Sequence, residues 1–318
     1  MNPESQPAPE HNPTPEELEL VEAMGNPAVA RNPEQMEAVA ARMMELAMKY
    51  AAAHPSPDEA LSGEFSSHLE AGEWREALAL GERLITSYRG RKDYPQLFRH
   101  HQRVSSILLV LGEPAAAREA ARAATGWARQ DPRIDILVAM ALENEAICAL
   151  AIGNPDEALR LAEEAIALFG PEALAETACA KARVLCARAY VAQGDLTRAE
   201  AELADALEPL ERRAESAVMS GAQAGLANYY HTKARIHRAR GERSQASKWQ
   251  RFAAGRARIV AVAPQLESHV GAIVLARELR NLRDLLTEEG EDAEARTADA
   301  ELQGLLARLR LPSLPYYD

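Results

Sequence analysis

Small and apolar residues recur along this chain at a fixed period. Six glycines are each followed by alanine five residues later and by alanine or leucine twelve residues later. The sets are Gly72/Ala77/Leu84, Gly112/Ala117/Ala124, Gly153/Ala158/Ala165, Gly194/Ala199/Ala206, Gly241/Ala246/Ala253 and Gly290/Ala295/Leu302. The glycines lie 40, 41, 41, 47 and 49 residues apart. Such a period is the mark of one helix–turn–helix unit stacked on itself. Two small residues seven positions apart share a helix face and let a second helix approach closely, where larger side chains would overpack the contact.

The turns carry their own chemistry. In Gly153-Asn154-Pro155-Asp156-Glu157-Ala158, glycine supplies a positive φ at the end of one helix. Asn154 then caps the next helix, Pro155 fits its first position and Glu157 completes a capping box. Gly194-Asp195-Leu196 repeats the device, while Gly112-Glu113-Pro114 and Gly72-Glu73-Trp74 are weaker versions. The pattern predicts first helices over 57–71, 94–111, 132–152, 171–193, 210–240 and 264–289. It predicts second helices over 73–88, 114–130, 155–169, 195–208, 243–262 and 291–309. Pro209 is read as the start of the fifth first helix. Ahead of the repeats, Thr14-Pro15-Glu16-Glu17 and Asn32-Pro33-Glu34-Gln35 open two helices that make an N-terminal cap over 14–56.

The pattern resembles the tetratricopeptide repeat family, in its long variant of about 40 residues per unit. The best match is Cys186-Ala187-x-x-Tyr190-x-x-x-Gly194 followed by Ala199, Leu203 and Ala206. Trp74 stands where the family often has an aromatic after the turn glycine. The bulky second-helix position is instead Gly81, Ala121, Ala162, Gln250 and Asp299 in the other units. The resemblance covers roughly residues 57–309 and implies an all-α, right-handed α-α superhelix (a TPR-like solenoid). It also implies a role in protein–protein interaction.

Composition agrees with a helical scaffold. Aromatics are 5% of the chain while alanine is abundant. No apolar run reaches the roughly 18–20 residues of a membrane span. The N-terminus lacks a basic region and apolar core, so no signal peptide is expected; five prolines in its first fifteen residues make residues 1–13 a disordered tail. The C-terminal tail, residues 310–318, is expected to be non-helical. The three cysteines, Cys148, Cys179 and Cys186, form an odd, sparse set. They suit a reducing, cytoplasmic setting and read as small core fillers.

By analogy with the family, the first helices line a concave groove, exposing positions 13, 10, 6 and 3 residues before each turn glycine. These are Arg99, Gln102, Ser106 and Leu109; Met140, Glu143, Ile147 and Leu150; Lys181, Val184, Arg188 and Val191; Asn228, His231, Arg235 and Arg238; and Arg277, Arg280, Asp284 and Thr287. Eight are basic and two acidic in a chain of formal net charge −12. A basic stripe in an acidic shell suits an anionic partner. The candidate peptide-binding set is therefore Arg99, Gln102, Lys181, Arg188, Asn228, His231, Arg235, Arg238, Arg277 and Arg280, for an acidic peptide or one with a free carboxylate. Met140, Ile147, Leu150, Val184 and Val191 would floor its middle. The competing readings are arginines paired with glutamates of their own helix, and floor residues that belong to the core.

No phosphate-cradling glycine loop, zinc-helix motif or nucleophile elbow is present in the sequence, so no cofactor, metal or catalysis is expected. His100 and His101 adjoin on a helix and diverge, so they cannot share a metal. Tyr229 and Tyr230 are expected to divide between groove and core. A bacterial regulatory or peptide-sensing repeat protein is the alternative reading, and an enzyme on a helical scaffold the remotest. The negative charge disfavours nucleic acid. Leu302, Leu305, Leu306 and Leu309 near one helix face raise self-association through the last unit.

Overall fold

The structure is a computed structural model that describes residues 15–25, scattered positions between 35 and 46, and residues 57–130, 135–169, 173–216, 220–262 and 268–314. Among the described residues there are thirteen helices and no strand, and no helix is long and apolar enough to cross a membrane. The chain separates into two compact units, Met1–Gly63 and Glu64–Asp318. In the first, α1 spans Pro15–Gly25, and Arg42 donates to Glu16 at 2.7 Å. The tail expected over 1–13 lies outside the described residues, as does most of the second cap helix.

Helix α2 spans Pro57–Glu70. After it come α3 Trp74–Arg91, α4 Tyr94–Val110, α5 Pro114–Ala128, α6 Asp135–Ala151, α7 Pro155–Leu168 and α8 Ala173–Gln193. Then follow α9 Leu196–Ser216, α10 Ser220–Ala239, α11 Arg243–Ala261, α12 Ser268–Glu289 and α13 Asp292–Arg308. All six register glycines have positive φ, between 70° and 80°. Asn154 Oδ1 accepts from the Glu157 amide at 3.3 Å, as an N-cap does. Glu157 accepts from the Asn154 side-chain amide at 3.0 Å, while the Asn154 backbone N–H goes to the Ala149 carbonyl, so the reciprocal bond of a capping box is replaced by a side-chain one. Asp195 accepts from the Arg198 amide at 3.1 Å.

The alanines and leucines five and twelve residues after these glycines are all buried. From α3 onward each helix packs on the next, which is the arrangement of a solenoid. First helices also pack on one another, α4 on α6, α6 on α8 and α8 on α10, so they form the inner layer. Gly81 shows why a bulky position has gone small. A Cβ there would stand 2.8 Å from Val104 Cγ2 and 3.2 Å from Phe65 Cε2, so side chains of the first helices fill the space.

Helix boundaries differ at one place. The second helix of the fourth unit does not stop before Pro209; α9 continues through it to Ser216. Leu203, Ala206 and Leu210 make one buried stripe across that proline. Burying Leu210 against α10 outweighs the hydrogen bond that proline removes. Gly225 of α10 makes the contact possible, since a Cβ there would lie 2.6 Å from Leu210 Cδ2.

Ion pairs repeat with the units. Arg118 binds Glu157 at 2.5 Å, Arg240 binds Glu200 at 2.7 Å and Arg258 binds Glu301 at 2.7 Å, separated by 39, 40 and 43 residues. Leu302, Leu305, Leu306 and Leu309 are buried within the chain, so they present no apolar stripe to a second copy.

Candidate functional site

Among the described residues, two cavities open on the first-helix layer. The larger, about 300 Å³, is lined by Val191 of α8, by His231, Ala234, Arg235, Arg238 and Ala239 of α10, by Gln250 of α11 and by Asn281 and Leu285 of α12. The smaller, about 70 Å³, is lined by Glu143 and Ile147 of α6, Lys181, Val184 and Leu185 of α8, and Gly225 and Asn228 of α10. Five of the ten candidates therefore gather at cavities: Lys181, Asn228, His231, Arg235 and Arg238. Arg99 is exposed on α4 and Gln102 is half-buried there, apart from both.

Three candidates lie deeper than the groove register expects. Arg188 is 5% exposed, His231 2% and Arg280 6%, and Val184 of the expected floor is also buried. Helix α8, which carries Arg188 and Val184, packs on both α6 and α10, His231 of α10 meets Glu278, and Arg280 of α12 meets the Leu314 carbonyl. Met140 is exposed, while Ile147, Leu150 and Val191 are half-buried. Tyr229 and Tyr230 are both buried rather than divided between groove and core.

Lys181 and Arg238 pair across units, and Arg277 pairs both across units and within its own helix. Lys181 Nζ lies 3.4 Å from Glu143 Oε2. Arg238 pairs with Glu288, 50 residues on. Arg277 donates to Asn228 Oδ1 at 2.6 Å, as well as to its neighbour Glu278 at 2.7 Å. Burial raises the Glu143 carboxyl above its usual range, against the pull of Lys181.

Beneath the larger cavity lies a polar network built on Glu278, a residue the sequence reading did not single out. It is wholly buried. His231 Nδ1 meets its Oε2 at 3.0 Å, Gln250 Nε2 donates to the same oxygen at 2.7 Å, and Arg277 Nε donates to Oε1 at 2.7 Å. Burial opposes the negative charge, but Arg277, His231 and Gln250 together outweigh it and hold the carboxyl well below the usual range. Burial also pushes the His231 imidazole down, more than Glu278 pulls it up. An ionised carboxylate only accepts, so His231 carries its proton on Nδ1 and keeps Nε2 as an acceptor. Nε2 has no hydrogen-bond partner among the described residues. Gln250 was legible as an anomaly, a polar residue at the bulky position, but only the fold shows what it serves.

The other candidate chemistry resolves into packing. His100 stacks on Tyr88 with ring centroids 5.2 Å apart, and His101 is pushed down to about 4 by burial and then by the charge of Arg89. Burial pushes the Cys148 thiol up to about 11 and Cys186 to about 12. Among the described residues no three His, Cys, Asp or Glu side chains gather as a metal would require.

By its own turns and packing the chain is an all-α solenoid of stacked helix–turn–helix units. No protein-family model matches it, and no curated protein does. Among solved structures it is similar to BtubC (BKLC) from P. vanneervenii, at 17% identity and a TM-score of 0.47, with 78% of this chain and 93% of that one covered. It is also similar to a Podosopora anserina putative kinesin light chain with nearly identical TPR-like repeats, at 17% identity and a TM-score of 0.45, covering 67% of this chain and 100% of that one. The chemistry of the cavities rests on this chain's own residues.

Proposed function

We propose that the chain is a protein-interaction scaffold, a tetratricopeptide-like protein of the long-repeat kind. It takes an extended peptide segment along its first-helix layer. The observation that supports this is the make-up of the larger cavity. It is lined by Arg235 and Arg238, by Asn281 and by apolar walls from Val191, Ala234 and Leu285. A peptide brings N–H donors and C=O acceptors together, and an acidic side chain or terminal carboxylate would replace Glu288 on Arg238. Lys181 and Asn228 extend the track toward α6, with an apolar step at Ile147.

The test is fluorescence polarisation against a library of labelled decapeptides with apolar anchors flanked by Asp or Glu, each with a free and an amidated C-terminus. Arg235→Glu with Arg238→Glu is the variant of choice, because charge reversal at buried Arg188 would unfold the chain. Selective binding that the double variant abolishes supports the reading. Binding indifferent to the double variant, or none across the library, overturns it.

A further inference from the structure

The last helix returns to the first turn. Trp74 Nε1 donates to the Leu309 carbonyl at 2.8 Å in a buried contact, and Arg310 binds Glu73 at 2.7 Å. These bonds span 235 and 237 residues, whereas the ion pairs between neighbouring units span one repeat. The contact joins the turn end of the first hairpin to the opposite end of the last, as successive turns of a superhelix meet. Arg310, at φ 52°, ends α13 in the left-handed conformation. Beyond it the chain is non-helical, Leu314 is buried, and its carbonyl accepts from Arg280 Nη1 at 3.1 Å.

Arg280 belongs to the register that sequence assigned to the groove, and Asn281 and Leu285 of the same helix line the larger cavity. The group it binds is a main-chain carbonyl from a segment outside the helical repeat, which is what a bound peptide presents. We propose that Leu309–Leu314 is the resident occupant of the Arg280 end of the first-helix layer. A partner segment of the same chemistry, non-helical and leucine-bearing, would take that place in trans. This rests on the first-helix layer being the binding face.

Two features favour exchange. Arg280 reads a carbonyl that every residue carries, so a partner segment can offer the same group, while Leu314 is the buried apolar side chain of the resident one. The ion pair that helps hold the segment is partly solvated, with the Arg310 side chain 60% exposed, so its contribution is small. The buried Trp74 bond and the close fit of Gly72 then fix where the segment starts: a Cβ on Gly72 would lie 2.7 Å from the Leu309 oxygen.

The experiment uses the full chain and a fluorescein-labelled peptide of residues 309–318. The natural chain is compared with Arg310→Glu/Leu314→Glu, which weakens the resident segment, and with that variant carrying Arg280→Ala as well. The peptide should bind the weakened chain at least tenfold more tightly than the natural one, and Arg280→Ala should cancel the gain. Hydrogen exchange on the same proteins should show lost protection at residues 68–74 in the weakened chain, with α4–α11 unchanged. Added peptide should restore that protection. Arg310→Glu alone, rescued by Glu73→Arg, repeats the comparison if Leu314→Glu disturbs folding. Equal binding to natural and weakened chains, or binding indifferent to Arg280→Ala, overturns the proposal. Arg235→Glu/Arg238→Glu should leave this peptide's binding unchanged, which separates its failure from failure of the cavity reading.

Discussion

The indole of Trp74 donates to the carbonyl of Leu309, 235 residues away, and seals the last helix against the first turn. A solenoid whose units touch only their neighbours has two open ends. Here residues 64–318 also hold contacts that span 235 and 237 residues, and the leucines of the last helix are buried.

Trp74→Phe keeps the ring but removes the donor, leaving the Leu309 carbonyl without it. The expected cost is about 1–3 kcal/mol, the penalty for a buried polar group that loses its partner. Urea unfolding followed by circular dichroism reads it. A cost near zero would mean that water or another donor serves the carbonyl.

Glycine-to-alanine substitutions separate turn strain from closure. Gly153 and Gly72 both have positive φ, but a Cβ meets nothing within 4 Å at Gly153 and meets Leu309 at Gly72. Gly153→Ala should cost about 1–2 kcal/mol from backbone conformation alone. Gly72→Ala should cost measurably more in the same urea assay. Equal costs would show that the ends do not meet in solution.

Gln250→Leu restores the apolar residue that the repeat pattern expects, and should destabilise the protein. It takes a donor from buried, ionised Glu278, a loss of about 1–3 kcal/mol. A consensus-like substitution that stabilised the chain would contradict the network around Glu278.

Burial lowers both His101 and His231 below the ordinary histidine value. A histidine that binds its proton less readily when folded contributes stability that is fully present above the unfolded value of 6.5 and is lost as pH falls. For His101 the loss should run from about 6.5 down to about 4. The urea midpoint should fall across that window, and His101→Asn should flatten the slope.

Cys148 and Cys186 have thiols raised to about 11 and about 12, so neither supplies thiolate near neutral pH. Ellman's reagent should label half-buried Cys179 first, with the other two reacting only on unfolding. Rapid labelling of Cys148 would contradict its burial.

The sequence by itself determined the architecture, because the repeat is written in local chemistry. A glycine that must take positive φ, a cap beside it and alanines on one helical face are requirements that neighbouring residues satisfy within one unit. Pro209 is where local chemistry misled, since burial of Leu210 across a unit boundary overrode a stop signal. The cavities on the first-helix layer were legible only in part. The register found Lys181, Asn228, His231, Arg235 and Arg238 at the cavities. It could not tell an exposed arginine from a buried one, as at Arg188 and Arg280. The spacing of consecutive first helices decides that depth, and no single unit encodes it. Tertiary structure alone supplied the partners from other units: Glu143 for Lys181, Glu288 for Arg238, and Glu278 for His231 and Gln250. It alone supplied the closure of Trp74 on Leu309, because superhelical curvature sums small rotations over every unit before the two ends can meet.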